Sequence, residues 1–294
     1  MQFDPHHLAA LTAVLRLGSF DAAASDLGVT PSAISQRIKA LEDRVGTALV
    51  LRGAPCTGTP AGARLVKHAE DVTLLETQVS RELALERGTG PTRLRIAVNA
   101  DSLATWLVPA LSGVTDILFD LVIDDQDHSA AWLRRGEVNM AITAQGKPAA
   151  GCDAWPLGAL RYVPTASPAF MQRWFPERVD LAGLARAPCL TFDAKDMLQR
   201  RWIEQVFGKA ITPPAHYLPS THAFVEAATA GLGWGMNPHH LVAARLADQR
   251  LRPLLADAPL DVPLSLQVSR IMASPLAPLI RAIRMAARRG LVQP

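Results

Sequence analysis

Phe20-Asp-Ala-Ala-Ala-Ser-Asp-Leu-Gly-Val-Thr-Pro-Ser-Ala-Ile-Ser-Gln-Arg-Ile-Lys-Ala-Leu-Glu42 reads as two short helices joined by a tight turn. Ser19 is placed to cap the first, which runs through Ala22, Ala23, Ala24 and Leu27 and ends at Gly28. Thr30 caps the second, and Pro31 occupies the first helical position, where a missing N–H costs nothing. Ile34, Ile38 and Leu41 then recur on one face. Ala24 is small enough for the second helix to cross closely over the first, and Gly28 supplies a turn residue free to take positive φ. This is a helix-turn-helix. With the isoleucines inward, Thr30, Ser32, Ser35, Gln36 and Lys39 lie on or beside the outward face, where they can meet base edges and phosphates of duplex DNA. Arg37, nearer the edge of the stripe, suits a phosphate. The bland alternative is an αα-hairpin with a solvated polar face.

The flanks extend the motif. Upstream, Pro5 opens an apolar-periodic helix (Leu8, Leu11, Val14, Leu15) that stops at Gly18. Downstream, Ala48–Arg52, a Pro/Gly loop with Gly53, Pro55 and Gly58, and then Thr59 predict a short β-wing, with Arg52 at its rim as a phosphate contact. From Pro60 to about Arg87 a helix is expected with Leu65, Val72, Leu75, Val79 and Leu83 on a heptad-like seam, which calls for a partner helix. Gly88-Thr-Gly-Pro91 breaks it as a hinge.

The run from Phe20 to Glu42, followed by Gly46, Leu49, Arg52 and Thr59-Pro-Ala-Gly62, resembles the N-terminal signature of LysR-type transcriptional regulators. The resemblance implies an α+β winged helix-turn-helix over residues 1–59, a linker and dimerisation helix with its hinge over 60–90, and an effector-binding domain over 91–294. That last domain would be an α/β, two-lobed fold of the periplasmic-binding-protein type 2, with lobe I over 92–160 and 269–294 and lobe II over 161–268. It also implies pseudo-palindromic double-stranded DNA, RNA polymerase and further copies of the chain, as homodimer or homotetramer, for partners.

The patterning of residues 92–294 fits two α/β lobes on its own terms. Arg93–Val98, Leu118–Ile123 and Met140–Thr143 read as strands alternating with helices through Leu103–Leu111 and Leu133, which predicts a parallel sheet. The pattern repeats with strands near Leu190–Asp193, Tyr217 and Gly233–Met236, helices Met197–Phe207 and His222–Ala230, a return strand Leu264–Val268 and a last helix Ala277–Arg289. Ligands of open α/β sheets bind beyond the carboxyl ends of strands. That rule nominates Asp101, Ser102, Asp124, Asp125, Thr143, Asp193, Ser220 and Thr221 as effector-binding residues. The serines at helix starts suit a carboxylate and the aspartates a cation, so a zwitterion with an extra positive group satisfies both. The competing reading makes the same side chains helix caps.

Leu94–Leu111, Leu133-Arg-Arg-Gly-Glu-Val138, Leu157-Gly-Ala-Leu160, Phe192-Asp193 and Ala223-Phe-Val225 further resemble the ArgP/LysG (IciA) branch of the family. That resemblance implies sensing of L-lysine or L-arginine and activation of an exporter gene for basic amino acids. Trp234, within Gly231-Leu-Gly-Trp-Gly-Met-Asn-Pro238, departs from the branch and is expected to reshape the pocket wall.

Composition sets the outer limits. The 294 residues are 49% hydrophobic and 19% charged, enough for two or three globular domains. No apolar run reaches the ~20 residues of a membrane span, and the first residues do not read as a signal peptide; a cytoplasmic protein is expected. The net charge of +3 decides little, because residues 1–58 hold five basic and five acidic side chains. Cys56, Cys152 and Cys189 show neither metal spacing nor an even disulfide set and read as small buried hydrophobes. The adjacent pairs His6-His7 and His239-His240 lack nearby ligands, and Gly231, Gly233 and Gly235 miss the dinucleotide fingerprint. No catalytic residue, metal or cofactor is expected. Two other classes remain to be weighed, a small-molecule binding protein without a DNA role and an amino-acid-processing enzyme; within the family, the alternative is a different effector.

Overall fold

The computed structural model describes residues 2–83 and 92–293. The chain forms two compact units, residues 1–95 with 116–120 and 135–139, and residues 96–115, 121–134 and 140–294.

In the first unit, α1 (Pro5–Leu17), α2 (Phe20–Asp26) and α3 (Pro31–Val45) each start on a side-chain cap. Asp4 accepts from the His6 amide at 2.8 Å, Ser19 from Ala22 at 3.4 Å and Thr30 from Ala33 at 3.2 Å, pairing amides that have no partner inside the helix. Leu11, Val14, Ala23, Ala24, Ile34, Ile38 and Leu41 close over one another as a dry core. The wing is shorter than its sequence pattern: β1 (Val50–Leu51) and β2 (Thr57–Gly58) pair over two residues each. α4 (Pro60–Glu82) follows at once. Its expected seam divides, with Leu65 buried, Val72 half-buried and Leu75, Val79 and Leu83 exposed, while Leu74, beside the seam, is buried. The expected extension to Arg87 and the hinge Gly88–Pro91 lie outside the described residues.

β3 (Thr92–Val98) carries the chain into the second unit. A helical stretch follows, made of α5 (Ala100–Ser102), a π-helical turn Leu103–Leu107 and α6 (Val108–Ser112). Pro109 has no N–H to offer the Thr105 carbonyl, which accounts for the irregular turn. Then come β4 (Ile117–Ile123), α7 (Ala130–Arg134), β5 (Met140–Thr143), β6 (Cys152–Ala166), α8 (Pro168–Trp174) and α9 (Leu181–Leu184). β7 (Cys189–Thr191), α10 (Leu198–Phe207), β8 (Ala215–Tyr217), α11 (Thr221–Thr229), β9 (Gly235–Pro238), α12 (His239–Ala247), β10 (Arg252–Pro253), β11 (Leu260–Ser269) and α13 (Ala277–Gly290) complete it.

The sheet is mixed rather than parallel. Its order is β10-β6-β11-β5-β3-β4, with β9 also on β6. β3 and β5 run parallel, but β11 lies antiparallel to both β5 and β6, and β6 antiparallel to β9 and β10. The expected parallel pairing holds for β3 and β5, and the sheet becomes mixed because β11 pairs antiparallel with β5 and with the unanticipated 15-residue β6. Pro156, Gly158 and Pro164 interrupt its apolar pattern, and the ladder absorbs them: the register on β11 shifts between Leu264 and Ser265, leaving Leu157 as the extra residue of a bulge. α12 was likewise not anticipated. β7 and β8 form a separate parallel pair. The three cysteines are free and buried, as expected. Among the described residues no helix is long and apolar enough to cross a membrane.

Candidate functional site

The first unit presents α3 as an exposed polar face. Ser32, Gln36 and Lys39 are exposed, and Ser35 and Arg37 are half-buried. Among the described residues, Ser32, Gln36 and Lys39 make no hydrogen bond or ion pair, so these side chains are available to an external partner. Thr30 is exposed but already spends its hydroxyl oxygen as a cap. Arg52 leaves the wing exposed, its guanidinium 5.4 Å from the centre of the Phe20 ring, a contact that steers a flexible cation toward α2.

Three residues without an assigned role hold this face in place. The Glu42 carboxylate accepts the Leu49 amide at 2.8 Å and so ties the end of α3 to the wing. Thr59 donates to the Ala48 carbonyl at 2.8 Å and accepts from Gly62 at 3.1 Å, joining the wing to α4. Gly62 packs its bare Cα so tightly that a Cβ would stand 2.0 Å from the Leu49 carbonyl oxygen. Spacing alone marks them only as capping and turn residues.

The second unit holds an acid-lined cavity of about 140 Å³ at the ends of β3 and β4 and beyond β7. Asp101, Asp124, Asp125, Asp193 and Asp196 line it with Asn99, Lys195 and Phe192. Asp101 is half-buried and accepts from the Tyr162 hydroxyl at 2.7 Å and the Thr221 hydroxyl at 2.8 Å. Burial pushes its pKa up to about 6, against the opposing pull of those two donors. Burial also raises Asp125 and Asp196, with neighbouring carboxylates adding to both. Asp124 behaves oppositely. Burial works to raise it, but hydrogen bonds from Lys195, the Trp132 indole and the Asp125 amide together outweigh burial and hold it below the usual carboxylate range. Asn99 is 3% exposed and both polar atoms of its side-chain amide lack a partner, which is costly unless something enters to bond them.

Four of the eight nominated residues meet at this cavity: Asp101, Asp124, Asp125 and Asp193. Thr221 lines a smaller recess that shares Asp101 and Asp196. Three do not line it. Ser102 is fully buried behind it; Thr143 spends its hydroxyl on the Gln126 carbonyl at 2.7 Å; Ser220 is exposed as the cap of α11. A strand end places a residue near a cleft without deciding which way its side chain turns. Trp234 also differs from expectation, being fully buried at 5.5 Å from the Trp202 ring and absent from the cavity wall. Asp196 and Asn99 were missed. Asp196 accepts the Phe192 and Leu198 amides at 3.0 Å each, and only the Asp193–Asp196 spacing hinted at it.

Residues 5–63 match the bacterial regulatory helix-turn-helix of the lysR family, and residues 87–291 match the LysR substrate binding domain. The chain belongs to the LysR family. As a LysR-type protein it is a DNA-binding transcriptional regulator with an effector-binding domain, not an enzyme. It is 46% identical over 286 residues to the HTH-type transcriptional regulator LysG of Mycobacterium tuberculosis, covering 97% of this chain and 94% of that one. The crystal structure of ArgP from Mycobacterium tuberculosis superposes with a TM-score of 0.80 at 44% identity, covering all of both chains. Full-length LysG from Corynebacterium glutamicum, solved with bound effector Arg, superposes with a TM-score of 0.67 at 34% identity over 99% of this chain and all of that one.

Proposed function

We propose that this LysR-type regulator senses a basic amino acid, L-arginine or L-lysine, in the cavity lined by Asp101, Asp124, Asp125, Asp193 and Asp196, and controls a gene for its export. The observation that carries the reading is the charge of the wall: five carboxylates against one ammonium, Lys195. Crowded carboxylates repel one another, and an entering cation relieves that repulsion. The partnerless Asn99 amide offers both a donor and an acceptor to the ligand's amino-acid end. The arginine in the Corynebacterium relative supports the same class of ligand.

In this reading residues 1–59 bind DNA and 60–90 form the linker and dimerisation helix. Residues 91–294 bind the effector, in lobes over 92–160 with 269–294 and over 161–268. Ser32, Ser35, Gln36 and Lys39 reach into the major groove, Arg37 and Arg52 hold phosphates, and Thr30 fixes the start of the reading helix. Two chains pair through the exposed seam of α4 to meet the halves of a palindrome, and dimers associate further. RNA polymerase is the partner at the promoter. The effector acts by binding one conformation better than another, the only way a ligand shifts such an equilibrium.

Calorimetric titration of the full-length protein with L-arginine, L-lysine and a panel of neutral and acidic amino acids tests the sensor. Saturable binding confined to the basic pair is expected. Equal binding of neutral amino acids would remove the carboxylate wall from the explanation.

A further inference from the structure

Both oxygens of the Asp124 carboxylate already accept hydrogen bonds. Its Oδ2 accepts from the Trp132 indole at 2.9 Å, and its Oδ1 accepts from the Asp125 amide and from Lys195 Nζ, each at 2.9 Å. The amide is backbone of the wall and the indole belongs to a half-buried ring on α7, whereas Lys195 Nζ sits at the end of a flexible stem. The Asp124 side chain is 15% exposed and the Lys195 side chain 51% exposed, so the ammonium reaches from solvent to a largely buried acid. Its backbone is held for this, since Asp193 Oδ1 accepts the Lys195 amide at 2.7 Å and the Asp196 amide at 3.1 Å. The open volume is about 140 Å³, below the roughly 300 Å³ at which small-molecule sites begin.

We propose that Lys195 is a tethered occupant of this cavity, and that its ammonium stands where the cationic side chain of the ligand binds. Loading is then an exchange of one cation for another at Asp124. The inference rests on the reading of the cavity as a basic-amino-acid site and adds how the empty site is kept neutralised and selective. Without a ligand, a wall of five carboxylates needs a counter-charge, and among the described residues Lys195 is the single cation lining it. An amino acid with a cationic side chain displaces the lysine into water, at small cost because half of the lysine is already there. A neutral amino acid offers Asp124 nothing in return and leaves Lys195 in place. The exchange also severs a link in the chain: Lys195 ties the 193–196 turn to the 124–127 loop, beside a second tie from Arg201 to Asp127 at 3.4 Å. Ligand arrival thus changes what holds these two segments together, the kind of differential contact a sensor needs.

Two measurements on the full-length protein test this. In the first, L-arginine is titrated calorimetrically into the wild type and into Lys195→Met, which keeps the length of the stem and drops the charge. Removing the competitor should tighten arginine binding by roughly two- to fivefold, within the range expected of a half-exposed ion pair. Unchanged affinity would overturn the exchange, and weaker binding would give Lys195 to the ligand's carboxylate instead. If neither protein binds arginine or lysine, the basic-amino-acid reading itself falls and takes this inference with it. Binding by the variant alone would support the exchange in its strongest form.

In the second, the lysines are reductively methylated with a carbon-13 label and followed by NMR. The sequence has five lysines (Lys39, Lys67, Lys147, Lys195 and Lys209), so the Lys195 signal is assignable by its loss in the variant. Addition of arginine should move it to the position of a solvated lysine. A signal that stays in place at saturation would show that no exchange occurs.

Discussion

Asp101 shows how one side chain can record both folding and function. Its carboxyl sits among Tyr162, Thr221 and further carboxylates, and burial lifts its pKa from 3.8 to about 6. Below pH 3.8 it is protonated in the folded and unfolded chain alike and contributes no pH dependence. Between the two values the unfolded chain gives up the proton and the folded one keeps it, so stability falls as pH rises through that window. A shift of about two units corresponds to about 3 kcal/mol, all of it lost by pH 7. Asp101→Asn cannot ionise, and both neighbouring hydroxyls can turn to suit an amide. Urea unfolding at pH 4 and pH 7 should show that the variant has lost this fall, and an identical pH slope in both proteins would mean that Asp101 ionises normally in the fold. Most of the acid wall was legible in the sequence because strands must deliver their following residues to one edge. The hydroxyls were not: Thr143 bonds the Gln126 carbonyl, Ser220 caps α11 and Ser102 is buried with its hydroxyl unpaired, and nothing in a one-dimensional pattern tells these fates from a ligand contact.

The same contrast separates the elements. α1, α2 and α3 were readable almost to the residue because caps, Pro31 and the terminal glycines are local signals that agree with the apolar stripe. β6 was not, because its two prolines and its bulge are tolerated only by the partners that β11, β9 and β10 provide. The junction of wing and α4 is a further case where packing overrules propensity. In the first turn of α4, Gly62 would by helix propensity gain up to ~1 kcal/mol on change to alanine. The Leu49 carbonyl oxygen would lie 2.0 Å from the added Cβ, and it is backbone that cannot swing aside. Overpacking of this kind costs about 1–3 kcal/mol. Gly62→Ala is therefore expected to destabilise the first unit by an amount in that range and, with Arg52 in its proposed role, to weaken DNA binding by displacing the wing. Chemical denaturation followed by circular dichroism decides the sign, and a stabilised variant would show that the wing gives way freely.

The head of the molecule does not bind DNA through net charge, since its first 58 residues hold five basic and five acidic side chains. In the proposed reading a few placed cations and a short recognition surface give modest affinity, and two heads acting at once supply the rest. α4 carries the means. Leu75, Val79 and Leu83 are 38%, 52% and 64% exposed, spaced four residues apart on one stripe, while Leu65, Val66 and Ala69 hold the helix to the core of its own unit. We propose this stripe as the seam of a helix pair; pairing would turn the second binding event into an intramolecular one, worth about 10²–10⁴ in overall affinity. Val79→Glu places a charge in the middle of the seam and leaves every DNA-facing residue untouched. Sedimentation should then show monomers at concentrations where the wild type is dimeric, and affinity for a two-half-site operator should fall by about two orders of magnitude or more. The salt dependence supplies an independent check. The slope of log K against log salt counts the phosphates neutralised, so a head acting alone should show half the slope of the pair. A variant that bound the operator with undiminished affinity and an undiminished slope would place the dimer contact elsewhere in the chain and leave the α4 stripe to another partner.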